Sequence, residues 1–184
     1  PSTSEEYSLS LESSTVIAYR APVSVESIDV AALQCFDCGN QEMNDWLTQK
    51  SLLNESKGGS RTYVVCDEQG QVAAFASLSA GAIRRNCLLG RDRYQTPQAI
   101  PINLLGRLAV DVRHQHQGLG SALVKFAVET TIQMSRFTGV YALVVQPLNE
   151  SVIDFYKRLG FKFNQDENIL YLPIRDKQGN FVTL

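Results

Sequence analysis

Leu104-Leu-Gly-Arg-Leu-Ala-Val-Asp-Val-Arg-His-Gln-His-Gln-Gly-Leu-Gly-Ser-Ala-Leu123 reads in three parts. An apolar strand comes first, then a glycine-bearing turn, then the opening of an amphipathic helix. That order builds a cradle for an anion. Gly118 and Gly120 carry no Cβ, so the backbone can approach a phosphate closely. The helix that follows aims its free N–H groups and the positive end of its dipole at the same spot. Two familiar phosphate loops fail on spacing. A P-loop needs G-x-x-x-x-G-K-[ST], and no such run occurs. A dinucleotide fingerprint needs G-x-G-x-x-G, and Gly118-Leu-Gly120 is followed by Ala122 and Leu123 with no third glycine in place. A bare G-x-G also fits an ordinary helix start.

The surrounding residues narrow the reading. Gln115-His-Gln-Gly-Leu-Gly120 fits Q/R-x-x-G-x-G/A behind a strand ending in Val110-Asp111. Further along, the apolar run Val140-Tyr-Ala-Leu-Val-Val145 precedes Pro147-Leu-Asn-Glu-Ser-Val-Ile-Asp-Phe-Tyr-Lys-Arg-Leu-Gly-Phe161. The first motif resembles the acetyl-coenzyme A loop of the GNAT acyltransferases. The second resembles that family's later Asn and F-Y-x-x-x-G-F signature, with Asn149, Phe155, Tyr156, Gly160 and Phe161 in the matching places. The resemblance spans Phe36 to about Leu172.

It implies an α/β fold, a mixed central sheet with helices on both faces, and acetyl-CoA as cofactor. The amides of Gln115, His116, Gln117, Gly118, Leu119, Gly120 and Ser121 are then expected on the pyrophosphate. Backbone groups of Leu108, Ala109 and Val110, on a strand that splays from its neighbour, are expected on the pantetheine arm and the thioester oxygen. Asn149 and Phe155 complete the expected cofactor contacts. Tyr156 is the expected general acid, because a phenol with pKa near 10 keeps its proton at neutral pH. The general base stays open among Glu150, Asp154, the two loop histidines, water and self-deprotonation of the substrate.

A finer likeness concerns the acceptor. Phe36-x-Cys-Gly39, Trp46-Leu47, Arg61-Thr-x-Val-Val-Cys66 and Gly-Arg-Leu-Ala-Val-Asp111 look like the GNAT toxins of toxin–antitoxin pairs. That subgroup acetylates the amino group of aminoacyl-tRNA and blocks translation. It is often dimeric, and ribbon-helix-helix antitoxins neutralise it. The resemblance implies a charged tRNA substrate, such an antitoxin, a homodimer, and DNA contact only through the antitoxin complex. The other readings are a GNAT enzyme acting on a small amine or a protein amino group, and a degenerate GNAT fold used as a binding module.

Charge is compatible with RNA only as a local patch. The chain has 17 Lys and Arg against 19 Asp and Glu, whereas a general nucleic-acid binder is basic overall. Lys50, Lys57, Arg61, Arg84, Arg85, Arg91 and Arg93 cluster in the first half with few acids between them. Arg84, Arg85, Arg91 and Arg93 are the candidate RNA contacts, with Lys157 and Arg158 at the mouth of the site.

Cys35-Phe-Asp-Cys38 invites a zinc or redox reading. Zinc needs two more ligands, and both histidines lie in the cofactor loop, so no metal is expected. Reduced structural thiols are the plainer expectation.

Residues 1–14, rich in Ser, Thr and Glu, read as a loose arm, and 15–184 as one domain. No basic region followed by an apolar run suggests a signal peptide, and no stretch is long and apolar enough for a membrane span, so a cytoplasmic location is expected. Val16–Val25 reads as including a first strand by its weak alternation, and Ser27–Leu33 as a short helix or turn. Helices are predicted over Gln41–Leu53, from Gly118 onward, and over Glu150–Leu159 with Gly160 at its end. The helix after Gly118 should turn Ser121, Lys125, Glu129 and Gln133 to water and Ala122, Leu123, Phe126, Ala127 and Met134 inward. Arg61–Cys66 and Gln71–Ser79 predict a hairpin, Ile102–Val112 the central strand, and Ile83–Pro101 a long connection near the working surface.

Overall fold

The opening stretch folds in the order its pattern dictates. Strand β4 (Ala99–Val110) runs into a 3₁₀ turn at Val112–His114 and then into helix α4 (Leu119–Met134). The structure, a computed structural model, describes residues 17–184, so the expected arm at 1–14 lies outside the described residues. Around β4 stand β1 (Val23–Ser24), β2 (Arg61–Cys66), β3 (Val72–Arg84), β5 (Ala142–Val145), β6 (Lys162–Asn164) and β7 (Ile169–Pro173). They form one seven-stranded sheet in the order β1-β2-β3-β4-β5-β7-β6. Every neighbouring pair is antiparallel except β4 and β5. Parallel strands need a long crossover, and α4 supplies it.

Helices cover both faces. One cluster packs α4 and α5 (Glu150–Arg158) onto the sheet through Leu123, Val124, Ala127, Val128 and Tyr156. On the other face α1 (Val30–Gln34), α2 (Gln41–Asp45) and α3 (Ser51–Ser56) cover Phe75 and Ala109 with Leu33, Trp46 and Leu47. A third cluster sets Leu88 of the β3–β4 connection against Ile100, Ile102, Ala142, Val144 and Tyr171.

Three local expectations change. The helix from Gln41 is capped by Asn40, whose side chain accepts from the Met43 amide, and it continues to Ser56 through a π-helical turn at Trp46–Lys50. That wider turn shifts the helical face, so Met43, Trp46 and Leu47 are buried while Leu53 is 54% exposed. In α4 the four polar residues face water as read. The buried face, however, runs through Leu119, Leu123, Val124, Ala127, Val128 and Thr131 and leaves Ala122 exposed. The connection is shorter than Ile83–Pro101, because β3 and β4 pair out to Ile83↔Ile100 and Arg84↔Ala99. Residues 85–98 remain, shaped by two 3₁₀ turns. They are pinned to the sheet: the Leu89 amide donates to the Tyr171 hydroxyl at 2.8 Å, and that hydroxyl donates to Asp92 at 2.7 Å. Lys162 reaches the same carboxylate at 2.6 Å. Among the described residues no helix is long and apolar enough to cross a membrane.

Candidate active site

The centre of the sheet is open. The β4–β5 ladder holds just Ile102↔Ala142, Asn103↔Leu143 and Leu104↔Val144. Beyond Leu104, β4 pairs on its β3 side alone. A bulge marks the place: Ser77 pairs with Arg107 and Leu78 with Leu105, so Gly106 is the extra residue. Bulges bend a strand and sharpen its twist, which here turns β4 away from β5. Backbone N–H and C=O groups in such a gap are free to bind a ligand. After the bulge, Leu108 and Val110 face the α4–α5 cluster and Ala109 the α1–α3 cluster.

The loop beyond β4 aims more donors at the same side. His116 and Gly118 sit at φ +61° and +82°, so two left-handed residues curl the chain within three positions. A histidine there is strained, and Gly118 is the unstrained choice. Helices α1, α2 and α5 are capped by the side chains of Asp29, Asn40 and Asn149, whereas α4 begins at Gly118 with no side-chain cap. Its first amides are left for an anion. A Cβ on Gly120 would stand 3.5 Å from the Phe155 ring, which places that ring against the loop.

Loop, strand and α5 enclose a cavity of about 600 Å³. Leu108, Ala109 and Val110 line it from β4; Gln115, His116, Gly118, Leu119, Gly120 and Ser121 from the loop; Phe155 and Tyr156 from α5. Gln117 stands outside the lining and accepts from the Tyr19 hydroxyl at 2.5 Å. Asn149 is also outside: its carbonyl oxygen accepts from the Val152 amide and caps α5. His114, Ser151 and Val152 join the lining. His114 is buried, with Nδ1 2.9 Å from the Tyr19 hydroxyl and Nε2 3.8 Å from Asp67. Tyr156 is 3% exposed, held edge-on between Phe155 and Phe161. Burial pushes its phenol well above the ordinary range. Its hydroxyl has no hydrogen-bond partner among the described residues.

Asp111 braces the loop. Its side chain, fully buried, accepts from the Asp37 amide at 3.0 Å, the Arg113 amide at 2.9 Å and two guanidinium N–H groups of Arg113 at 2.8 and 2.9 Å. Burial would raise its pKa, but the Arg113 bonds and the two amides outweigh it and hold the carboxyl at about 2. The Cys35–Cys38 segment is thereby docked on the loop: Arg113 also reaches the Cys35 carbonyl, and Gln115 the Cys38 carbonyl. Cys35 follows the end of α1, not a helix start. A depressed carboxyl pKa contributes stability above its unfolded value near 4, and this is lost as pH falls towards 2. From roughly pH 5 to pH 1 the protein should lose about 2 kcal/mol through this group. Urea titrations of Asp111→Asn should lack that acid limb; an unchanged limb would assign it elsewhere.

The six basic candidates divide. Arg85 donates to the carbonyls of Thr96 and Pro97, and Arg93 to those of Leu88 and Asn86, so both brace the connection. Arg84 and Arg91 are exposed with no such partner among the described residues. All four lie at the Ala99 end of β4, on the order of 35 Å along the strand from the loop at its Val110 end. Lys157 and Arg158 are exposed on the last turn of α5, directly after the cavity-lining Tyr156, with Lys157 over the Phe163 ring. Sequence reasoning passed over Arg107. Its signal was a cation in mid-strand between Leu104-Leu-Gly and Leu-Ala-Val110.

Comparison with known proteins places this geometry. The family model described as acetyltransferase (GNAT) family matches residues 27–161. The tRNA-acetylating toxin of Mycobacterium tuberculosis (strain ATCC 25618 / H37Rv) is 32% identical over 162 residues, 88% of this chain and 96% of that protein. AtaT complexed with acetyl-methionyl-tRNAfMet superposes with a TM-score of 0.75 at 30% identity, over 85% of this chain and 94% of that one. An AtaT mutant toxin bound to acetyl-CoA and the C-terminus of the antitoxin AtaR gives 0.68 at 29% identity, over 85% and 92%. The match runs through α2, the opened β4–β5 pair and the uncapped start of α4 to Phe161, and the chain belongs to the GNAT family of acetyltransferases.

Proposed function

We propose that this chain is an acetyl-CoA-dependent N-acetyltransferase whose acceptor is the amino group of aminoacyl-tRNA. It acts as a toxin on translation in the cytoplasm. The observation that carries the acceptor class is the likeness, over most of both chains, to a tRNA-acetylating toxin and to AtaT solved with an acetylated methionyl-tRNA. The likeness to AtaT bound to the C-terminus of the antitoxin AtaR, and to a KacTA-DNA complex, supports an antitoxin partner, proposed here to be of the ribbon-helix-helix class and to make the contact with DNA. A homodimer is part of the proposal.

The residues fit the cofactor. The uncapped α4 start and the left-handed Gly118 suit a pyrophosphate, and the β4 gap suits an amide-bearing arm. Bound there, acetyl-CoA supplies an activated acyl thioester. The amides of Leu108–Val110 that face the gap can stabilise negative charge on the carbonyl oxygen. With acetyl-CoA held there, the amine nitrogen would bond to the acyl carbon as the carbon–sulfur bond breaks; Tyr156 would give its proton to the departing sulfur, and the proton shed by the nitrogen would leave to solvent, from which the phenol is restored. Gln117 and Asn149 support the loop and α5 from behind.

Arg84 and Arg91 are the candidate phosphate contacts at the far end of β4. Arg91 borders a concavity of about 620 Å³ shared with Tyr94, Lys162, Arg175 and Lys177. Tyr94 is 78% exposed, a surface on which a base can stack. Arg85 and Arg93 shape this patch through the connection, and Lys157 and Arg158 flank the cavity.

The test is transfer of labelled acetyl to a pool of charged tRNA, with uncharged tRNA and free amines as controls. Label in the charged pool alone is expected. Label on free amines without charged tRNA would replace the acceptor. Arg84→Glu with Arg91→Glu should raise KM for charged tRNA by about tenfold or more at low salt, with acetyl-CoA affinity unchanged. Equal loss of both would remove the RNA assignment.

A further inference from the structure

The cavity of the cofactor loop opens on the α4–α5 face of β4, so an acceptor amine must reach the gap from the other face. Arg107 stands there. It directly follows the Gly106 bulge and precedes Leu108, whose backbone lines the gap. Its guanidinium lies 4.9 Å from the Trp46 ring centre, and one N–H is 3.9 Å from the Met43 sulfur. Trp46 is itself stacked on Phe75, so the anchor is rigid. Gly106, beside Arg107, is exposed.

No carboxylate neutralises this cation. Among the described residues Arg107 forms no ion pair, whereas Arg61 and Arg113 both do. The charged groups on the α2 and π-turn segment that packs against it are Glu42, Asp45 and Lys50, all at least partly exposed, and Asp45 accepts from Gln41. β3 presents Ser77 and Ser79 opposite, and β5 is apolar from Ala142 to Val145. Of the candidate bases, His114 is engaged with Tyr19, His116 is held at φ +61° in the cofactor loop, and Glu150 and Asp154 are exposed on α5.

We infer that Arg107 takes the place of a general base at this site: its fixed positive charge favours the neutral, nucleophilic form of a bound weakly basic amine, such as the α-amino group of an aminoacyl ester. The inference rests on the aminoacyl-tRNA reading above and deepens it. A like charge lowers the pKa of an ammonium group. At roughly 10 Å and an effective dielectric near 20, the shift is about one pH unit. A free α-amino group titrates near 7.7–8.0, so this shift leaves most of it neutral at pH 7, while a lysine-type amine near 10.4 stays protonated and repelled. The bound α-amino group thus needs no general base, whereas the same shift is too small to deprotonate a lysine-type amine at pH 7.

The test is the pH profile of kcat between pH 5.5 and 8, with acetyl-CoA and charged tRNA both saturating. Arg107→Met keeps the contact with Trp46 and Met43; Arg107→Lys keeps the charge. The acid limb of Arg107→Met should move up by about one pH unit, a roughly tenfold loss at pH 6 with the plateau near pH 8 little changed. Arg107→Lys should retain the original limb. A superimposable Arg107→Met profile would overturn the inference, as would an equal loss at every pH, which marks packing alone. If the unsubstituted protein transfers nothing to charged tRNA, the acceptor reading fails first and this inference falls with it.

Discussion

Tyr156→Phe is expected to lower kcat by about two to four orders of magnitude while acetyl-CoA affinity stays within a factor of about two. The ring is the packing element, edge-on to Phe155 at 5.0 Å and to Phe161 at 5.1 Å, and phenylalanine keeps both contacts. The hydroxyl has no protein partner, so its removal strands no buried donor or acceptor. Stability should therefore hold. What goes, on the proposed mechanism, is the proton for the departing sulfur. Because burial raises the phenol above its ordinary range, the acid is fully loaded at every working pH and cannot limit the pH profile from neutral to mildly alkaline conditions. Single-turnover rates and calorimetric binding of acetyl-CoA separate the outcomes. Rate and affinity lost together would make Tyr156 a packing residue, and an unchanged rate would remove it from the chemistry.

The second large effect concerns affinity. Ser121→Glu should weaken acetyl-CoA binding by about a hundredfold or more while leaving the melting temperature unchanged or slightly higher. Ser121 is the third residue of α4, the position from which a glutamate can reach back to the Gly118 amide. A carboxylate there satisfies the uncapped amides and the helix dipole, which helps the fold. It also occupies the place of the pyrophosphate and repels it. Two charge-assisted hydrogen bonds exchanged for repulsion amount to about 3 kcal/mol. Normal affinity in a stable Ser121→Glu protein would move the pyrophosphate off the α4 start. A loss of stability would mean that this helix start is not open to an anion.

Much of this arrangement was legible because it is local. The turn at Gly118, the α4 polar stripe and the Phe155-Tyr156 pair are written in neighbouring residues, and the cavity gathers most of the expected cofactor contacts. Other features depend on what meets what across the chain. The gap between β4 and β5 is a matter of register, set by a bulge at Gly106 that no single-strand pattern announces. Ala122 reads as inward by periodicity. The sheet beneath α4 selects a slightly rotated face, and the π-helical turn at Trp46–Lys50 turns Leu53 outward. Asn149 was read towards the cofactor, yet its position is that of a cap. Arg85 and Arg93 were indistinguishable by sequence from Arg84 and Arg91, because their carbonyl partners belong to a connection whose shape was unknown. Arg107 was visible as a charge in an apolar strand, but its meaning came from Trp46, 61 positions earlier.

The ends of the sheet bear on how such a protein survives its own open centre. Unpaired strand edges recruit other chains, and aggregation usually begins there. Here the outer strands are two and three residues long, too short to template a partner. The outer side of β2 is closed piece by piece: the Glu55 carboxylate accepts from the Thr62 amide at 2.8 Å, β1 pairs with Tyr63 and Val64, and the Arg20 amide takes the Cys66 carbonyl. The free backbone of β4 beyond Leu104 lies inside the molecule, with α4 and α5 along one side. A slot of that kind admits a slender extended ligand and turns away a strand of another chain, so the edge chemistry that would make this protein sticky is confined to the one place where it binds.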